Sequence, residues 1–286
     1  MAARIRARGV IGVLCACALA LGGCAEDATE SPLEKARTAN QSRHVAASFD
    51  DRPVVLDDTN GLVSSEYFFE TSETLVVTDP TPEAQLRAAS IAAYAHAPLL
   101  VYDAQHHAQV IQEIQRLKAH TVLTVGDVPL APLSGAVRIN RDPGGLEALG
   151  AMTSVRFRER AVQDPARAQR AVAELDTSRP TWLNASWAQP VVKPNAKARP
   201  FPVHSRRDAG MAPQVVATGE SSIAAIANAR SFGAAVVYVD DPDPRASEST
   251  LLAMAGLEDA PLVLLGTQFG RAIDIPGRIM QAEENY

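Results

Sequence analysis

Thr74-Leu-Val-Val-Thr-Asp79, followed by Thr81-Pro82, reads as a strand that stops and a helix that starts. The apolar run ends in a turn, and a threonine cap with a first-turn proline opens the next element. Glu83 to His96 then sets Leu86, Ala89, Ile91, Ala92 and Ala93 at helical spacing. Ala97-Pro-Leu-Leu-Val-Tyr102 is a second apolar run, ending at Asp103. A further helix is predicted from about Gln105 to Ala119, with Val110, Ile111, Ile114 and Leu117 on one stripe. Thr121-Val-Leu-Thr-Val125 closes the series at Gly126.

The same order returns 140 residues later. Gln214-Val-Val-Ala-Thr218 precedes a predicted helix over Ser221 to Phe232, then Ala234-Ala-Val-Val-Tyr-Val239 ends at Asp240. A helix over Ser247 to Ala255 leads into Pro261-Leu-Val-Leu-Leu265 and Gly266. Thr78 to Gly126 and Thr218 to Gly266 are both 48 positions apart, so the chain carries an internal repeat. Continuous Val/Leu/Ala strands alternating with helices imply parallel pairing, right-handed crossovers and helices on both faces. The fold class expected is therefore α/β, with two tandem three-layer parallel-sheet repeats joined by a Pro-rich basic connector. Gly135-Ala-Val-Arg-Ile139 and Ala272-Ile-Asp-Ile275 are the short strands expected to close the two copies.

Around the copies the composition changes. Arg4, Arg6 and Arg8 precede an apolar stretch from Gly9 to Leu21, and Leu21-Gly22-Gly23-Cys24 follows. That is an export signal, too short for a spanning helix. Its end is similar to the lipobox of bacterial lipoproteins, which implies diacylation of Cys24 and a palmitate-bearing anchor in the cell membrane, facing outward. Two acyl chains on one cysteine give stable attachment. The domains expected are a signal peptide over 1–23, a flexible tether over 24–52, a first repeat over 53–144, a connector over 145–213 and a second repeat over 214–286. A helix around residues 32–47 is the alternative reading of the tether. The connector is expected to begin with a helix over Leu146 to Leu175, whole or broken near Asp164-Pro165, and to continue through five prolines between Pro180 and Pro202.

Cys15, Cys17 and Cys24 are the chain's three cysteines, so disulfide frameworks and thiolate chemistry are excluded after Cys24. A net charge of −6 argues against a nucleic-acid partner. No Gly-x-Gly-x-x-Gly, Gly-x-Ser-x-Gly, Ser-x-x-Lys or His-Glu-x-x-His occurs, so no cofactor and no catalytic activity are expected.

Each copy resembles the cell wall-binding repeat type 2 family of bacterial surface proteins. The resemblance is carried by Glu66-Tyr67-Phe68-Phe69-Glu70-Thr71, Val76-Val77-Thr78, Ala88-Ala89-Ser90-Ile91-Ala92-Ala93, Ala97-Pro98-Leu99-Leu100 and Thr124-Val125-Gly126. It spans about residues 64–131 and, more weakly, about 213–270. The resemblance implies modules that associate with one another and hold an anionic wall polymer or an envelope protein.

Several groups are candidates for chemistry. Residues 151–212 hold 11 Lys or Arg against 5 Asp or Glu, and Arg156, Arg158 and Arg160 alternate there in the predicted helix, above Arg167 and Arg170. They suit an anionic polymer or lipid head groups. Asp103 and Asp240 end equivalent strands, where α/β folds place ligands, with His106-His107 and Asp241-Pro242-Asp243 beside them. Trp182 and Trp187 flank Asn184 and suit stacking on sugar rings. Two further readings remain open. A solute-binding lipoprotein would close two lobes over a ligand across residues 140–213. An enzyme would need Asp103, His106 and Asp240 to converge.

Overall fold

The computed structural model describes residues 30–131, 137–189, 192, 197–204 and 211–286. Residues 1–31 and 32–286 separate into two units, and the described helices and strands belong to the second. The leader and Cys24 lie outside the described residues.

The chain begins with α1 (Pro32–Gln41), β1 (Pro53–Leu56) and α2 (Leu62–Phe68). The first copy follows as β2 (Thr74–Thr78), α3 (Pro82–Ala95), β3 (Leu99–Val101), α4 (His107–Arg116) and β4 (Thr121–Val125), with β5 (Arg138–Arg141) after it. Next come α5 (Gly145–Thr153), β6 (Arg158–Val162), α6 (Ala168–Ala173) and β7 (Thr181–Ala185). The second copy is β8 (Gln214–Ala217), α7 (Ile223–Phe232), β9 (Val236–Tyr238), α8 (Glu248–Met254) and β10 (Leu262–Leu265), and α9 (Ile275–Glu284) ends the chain.

The two copies build matching sheets. Strand order is β3-β2-β4-β5 in one and β9-β8-β10-β1 in the other, and every pair is parallel. The fold is α/β. The second sheet shows why its strands read as unbroken apolar runs. Val215, Ala217, Val263 and Leu265 face the larger core, whereas Val216, Leu262 and Leu264 face a second core closed by α8 and α9.

The strand that closes the second sheet comes from the other end of the chain. Pro53–Leu56 pairs in parallel with Leu262–Leu265. The segment expected to do this, Ala272 to Ile275, instead makes a 3-10 turn (Ala272–Asp274) leading into α9, whose first turn holds a proline. Ile273 is 78% exposed, as a strand residue in a core would not be. The stretch read as a tether contains α1, which is fastened to α8. Asn40 is buried and donates from Nδ2 to the carbonyls of Leu252 (3.1 Å) and Ala255 (2.9 Å) at that helix's C-terminal end.

The connector is not one long helix. Ser154 adopts a left-handed conformation (φ 61°) that stops α5, and the following residues extend into β6, which pairs with β7 alone. Arg158 and Arg160 therefore lie in a strand, and Arg156 precedes it. The series β5-α5-β6-α6-β7 repeats the series β1-α2-β2-α3-β3, with starts of the first and third elements 20 and 21 residues apart. The connector thus adds a shorter unit of the same kind. At the centre, α3, α6 and α7 pack against one another. Their contact faces are alanine: Ala88, Ala92, Ala171, Ala224 and Ala227 are all buried. Small side chains let helices approach closely, and α3 is buried nearly all round, with Arg87 and Ser90 buried among its Ala, Leu and Ile side chains. Residues of both copies share this one core.

Candidate functional site

The central helices are equivalent, and each carries a polar side chain six positions past its cap. Thr81 caps α3, and Arg87 follows at that distance. Ser222 caps α7 and accepts from Ala225 N, placing Asn228 likewise. Asp164 caps the 3-10 turn (Pro165–Arg167) that runs into α6, where Arg170 holds the matching place. Each reaches a strand of the neighbouring unit. Arg87 lies over the Trp182 ring of β7 at 5.2 Å, Arg170 over the Tyr238 ring of β9 at 4.2 Å, and Asn228 against Leu99 of β3.

The loops that meet these side chains also match. Asp58 after β1 accepts from the backbone N–H groups of Asn60 (3.3 Å), Gly61 (2.7 Å) and Ser64 (2.8 Å). Asp142 after β5 accepts from Gly144 N (3.2 Å). The carbonyl of Gly61 receives Asn228 Nδ2 at 3.0 Å, and that of Gly145 receives Arg87 Nη2 at 3.0 Å. One joint has been built twice.

At the Asn228 joint the polar groups are satisfied. Asn228 is fully buried; its Oδ1 accepts from Leu99 N (2.6 Å), and its Nδ2 donates to Ser64 Oγ (2.8 Å) and Leu99 O (3.1 Å) as well as to Gly61. Gly61 sits at φ +87°, and a Cβ there would fall against the Leu99 carbonyl.

At the Arg87 joint a cleft remains. It encloses about 160 Å3 and is lined by Arg87, Asp142, Trp182, Asn184, Glu83 and Asp79 among others. Arg87 is 7% exposed and Asp142 5%. They form a bidentate ion pair: Nε donates to Oδ2, and Nη2 to Oδ1 at 2.9 Å. Arg87 Nη1 is buried and has no hydrogen-bond partner among the described residues. Asp79 shapes the far wall by accepting from Thr81 N (2.9 Å), Thr81 Oγ1 (2.5 Å) and Asp127 N (2.7 Å). Gly126, at φ +79°, leaves room for that carboxylate. In the second copy the matching strand ends are plugged. Gln268 Nε2 donates to Thr218 Oγ1 (2.8 Å), Ser221 Oγ (3.1 Å) and Leu265 O (2.9 Å).

The residues singled out in the sequence lie elsewhere. Asp103 caps the 3-10 turn (Ala104–His106), accepting from Gln105 N at 2.6 Å and lying 2.7 Å from His106 Nδ1. That Gln105 N–H first, and then His106, hold its carboxyl below the ordinary value. His107 turns away, with Nδ1 3.1 Å from Tyr102 Oη, so the adjacent histidines point at different partners. Asp240 receives Arg170 Nη2 at 2.7 Å, and Asp243 is engaged by Arg245 at 2.6 Å. Asp103 and His106 therefore pair with each other, and Asp240 with a residue of another unit. Among the described residues no group of three or more His, Asp or Glu could hold a metal ion. Arg156 and Arg158 are exposed, and neither makes an ion pair among the described residues. Arg160 is occupied: Nη2 donates to Ala171 O at 2.5 Å, and Nη1 lies 3.8 Å from Glu174.

The pair that sequence reasoning missed is Arg87 and Asp142. A signal was present: Asp58-Thr-Asn-Gly61 and Asp142-Pro-Gly-Gly145 both set a glycine three residues after an aspartate that follows a strand.

No family model matches the chain, and no curated protein matches it. Among solved structures it aligns with Cwp8 from Clostridium difficile, at 14% identity and a TM-score of 0.49. The alignment covers 83% of this chain and 52% of that one, so this chain spans about half of that protein's length.

Proposed function

We propose that the protein is a non-catalytic component of the bacterial cell envelope, held at the outer face of the membrane by lipid on Cys24, that binds an anionic wall polymer. The retention half rests on the leader, with Arg4, Arg6 and Arg8 before an apolar stretch that ends at Leu21-Gly-Gly-Cys24. Among the described residues no helix is long and apolar enough to cross a membrane.

The binding half is carried by one observation: Arg156 and Arg158 stand exposed beside and on a strand that pairs on one side only. Guanidinium groups bind phosphate and carboxylate in a bidentate fashion, and their exposure makes that attraction sensitive to salt. Arg160 belongs to the fold rather than to this surface, because its guanidinium holds the Ala171 carbonyl.

The test is sedimentation of the chain with purified envelope material at low and high salt. Retention at low salt that is lost at high salt, and lost in Arg156→Ser/Arg158→Ser, is the expected result. Retention unaffected by salt and by both replacements would rule out the arginines as the binding surface.

A further inference from the structure

Arg87 Nη1 is a buried donor with no acceptor among the described residues, on a side chain that lines a cleft. A buried N–H group without a partner costs about 1–3 kcal/mol, so an acceptor that enters the cleft and reaches it recovers that cost. The remaining polar wall runs the other way. Glu83 and Asp79 add carboxylates, Asn184 uses its Nδ2 on Glu159 (2.7 Å) and keeps Oδ1 as an acceptor, and Asp142 is already neutralised by Arg87.

Charge narrows the ligand. An anion would meet the carboxylates of Asp79 and Glu83, with the one cation of the cleft already paired. A simple cation would suit those carboxylates but has no lone pair to accept from Nη1. What satisfies both walls is a neutral group that accepts and donates at neighbouring atoms, which is the property of vicinal hydroxyls. Size narrows it further: about 160 Å3 is well below the ~300–1,000 Å3 of pockets that take drug-sized ligands, so a single ring fits. Trp182 supplies the apolar side of such a site.

We propose that the cleft between α3 and β7 binds one neutral, hydroxyl-bearing sugar ring, with Arg87 donating to a ring hydroxyl and Glu83 and Asn184 accepting from its neighbours. This site is separate from the exposed arginines and stands whether or not they bind polymer.

The experiment is calorimetric titration of the full chain with glucose, galactose and N-acetylglucosamine, beside glucuronate as the anion. At least one neutral sugar is expected to bind with a Kd on the order of 1 mM, as a single small ring allows. Glucuronate is expected to bind about tenfold more weakly, because its carboxylate faces those of Asp79 and Glu83. Neutral binding should survive high salt, which removes retention on the exposed arginines, so the two sites fail separately. In a Trp187→Phe background, the fluorescence of Trp182 should follow the same curve. Asn184→Ala should weaken binding about fivefold, the loss of roughly one hydrogen bond, with an unchanged melting curve. The proposal is overturned if no neutral sugar binds, if glucuronate binds as tightly, or if Asn184→Ala leaves the affinity unchanged.

Discussion

The joint between α7 and the loop after β1, and the joint between α3 and the loop after β5, follow one plan with two endings. In the first, an amide fits a closed space and every one of its polar groups is answered by Leu99, Gly61 or Ser64. In the second, a longer cation takes the amide's place, requires Asp142 to neutralise it, and leaves a donor over beside a cleft. The difference shows what an opening costs. A sealed joint needs only hydrogen bonds, whereas a joint that keeps a cleft and a buried charge needs a buried counter-charge as well.

That contrast predicts unequal damage. The largest effect is expected for Asp142→Ala, which leaves Arg87 as an uncompensated buried cation, at a cost of about 3–5 kcal/mol in denaturant unfolding. Asp142→Ala combined with Arg87→Met should recover much of that loss, because the two sites are coupled. Next comes Asn228→Leu, which keeps the volume but strands the N–H and carbonyl of Leu99. About 3 kcal/mol is expected, without rescue by any partner change. If the double variant at the open joint is no better than Asp142→Ala alone, the buried-charge explanation is wrong.

The glycines sharpen the comparison at a smaller scale. Gly61 and Gly145 hold nearly the same backbone angle, φ +87° and +80°. A Cβ at Gly61 meets the Leu99 carbonyl and the Asn228 amide, whereas among the described residues one at Gly145 meets only Val192 Cγ2, at 4.0 Å. Gly145→Ala should therefore cost about 1–2 kcal/mol, for the left-handed conformation alone. Gly61→Ala should exceed it by at least about 1 kcal/mol, the strain of overpacking. Equal midpoint shifts would mean that the closed joint is looser than its contacts indicate.

The repeated strands and helices were legible because the strands are apolar runs, most of them buried on both faces with β9 half-buried, and each helix keeps its stripe. Pairing between distant strands was not. Nothing in Pro53-Val-Val-Leu56 says that its partner is Leu262–Leu265 rather than a neighbour in sequence. Arg158-Glu-Arg-Ala-Val162 read as helix because its residues favour helix, and pairing with β7 overrode that preference. Asp103 and Asp240 drew attention as charges at strand ends, yet both serve local contacts. Arg87 lay hidden in an alanine-rich helix, and its role depends on Asp142, 55 residues away.

A crystal structure of the chain at a resolution that shows ordered water tests most directly whether one joint is sealed and its counterpart open. Density for a water or a ligand oxygen within hydrogen-bond distance of Arg87 Nη1 is the result expected, with none beside Asn228. A shut cleft, with Nη1 packed against apolar atoms and no acceptor near it, would contradict the contrast between the two joints.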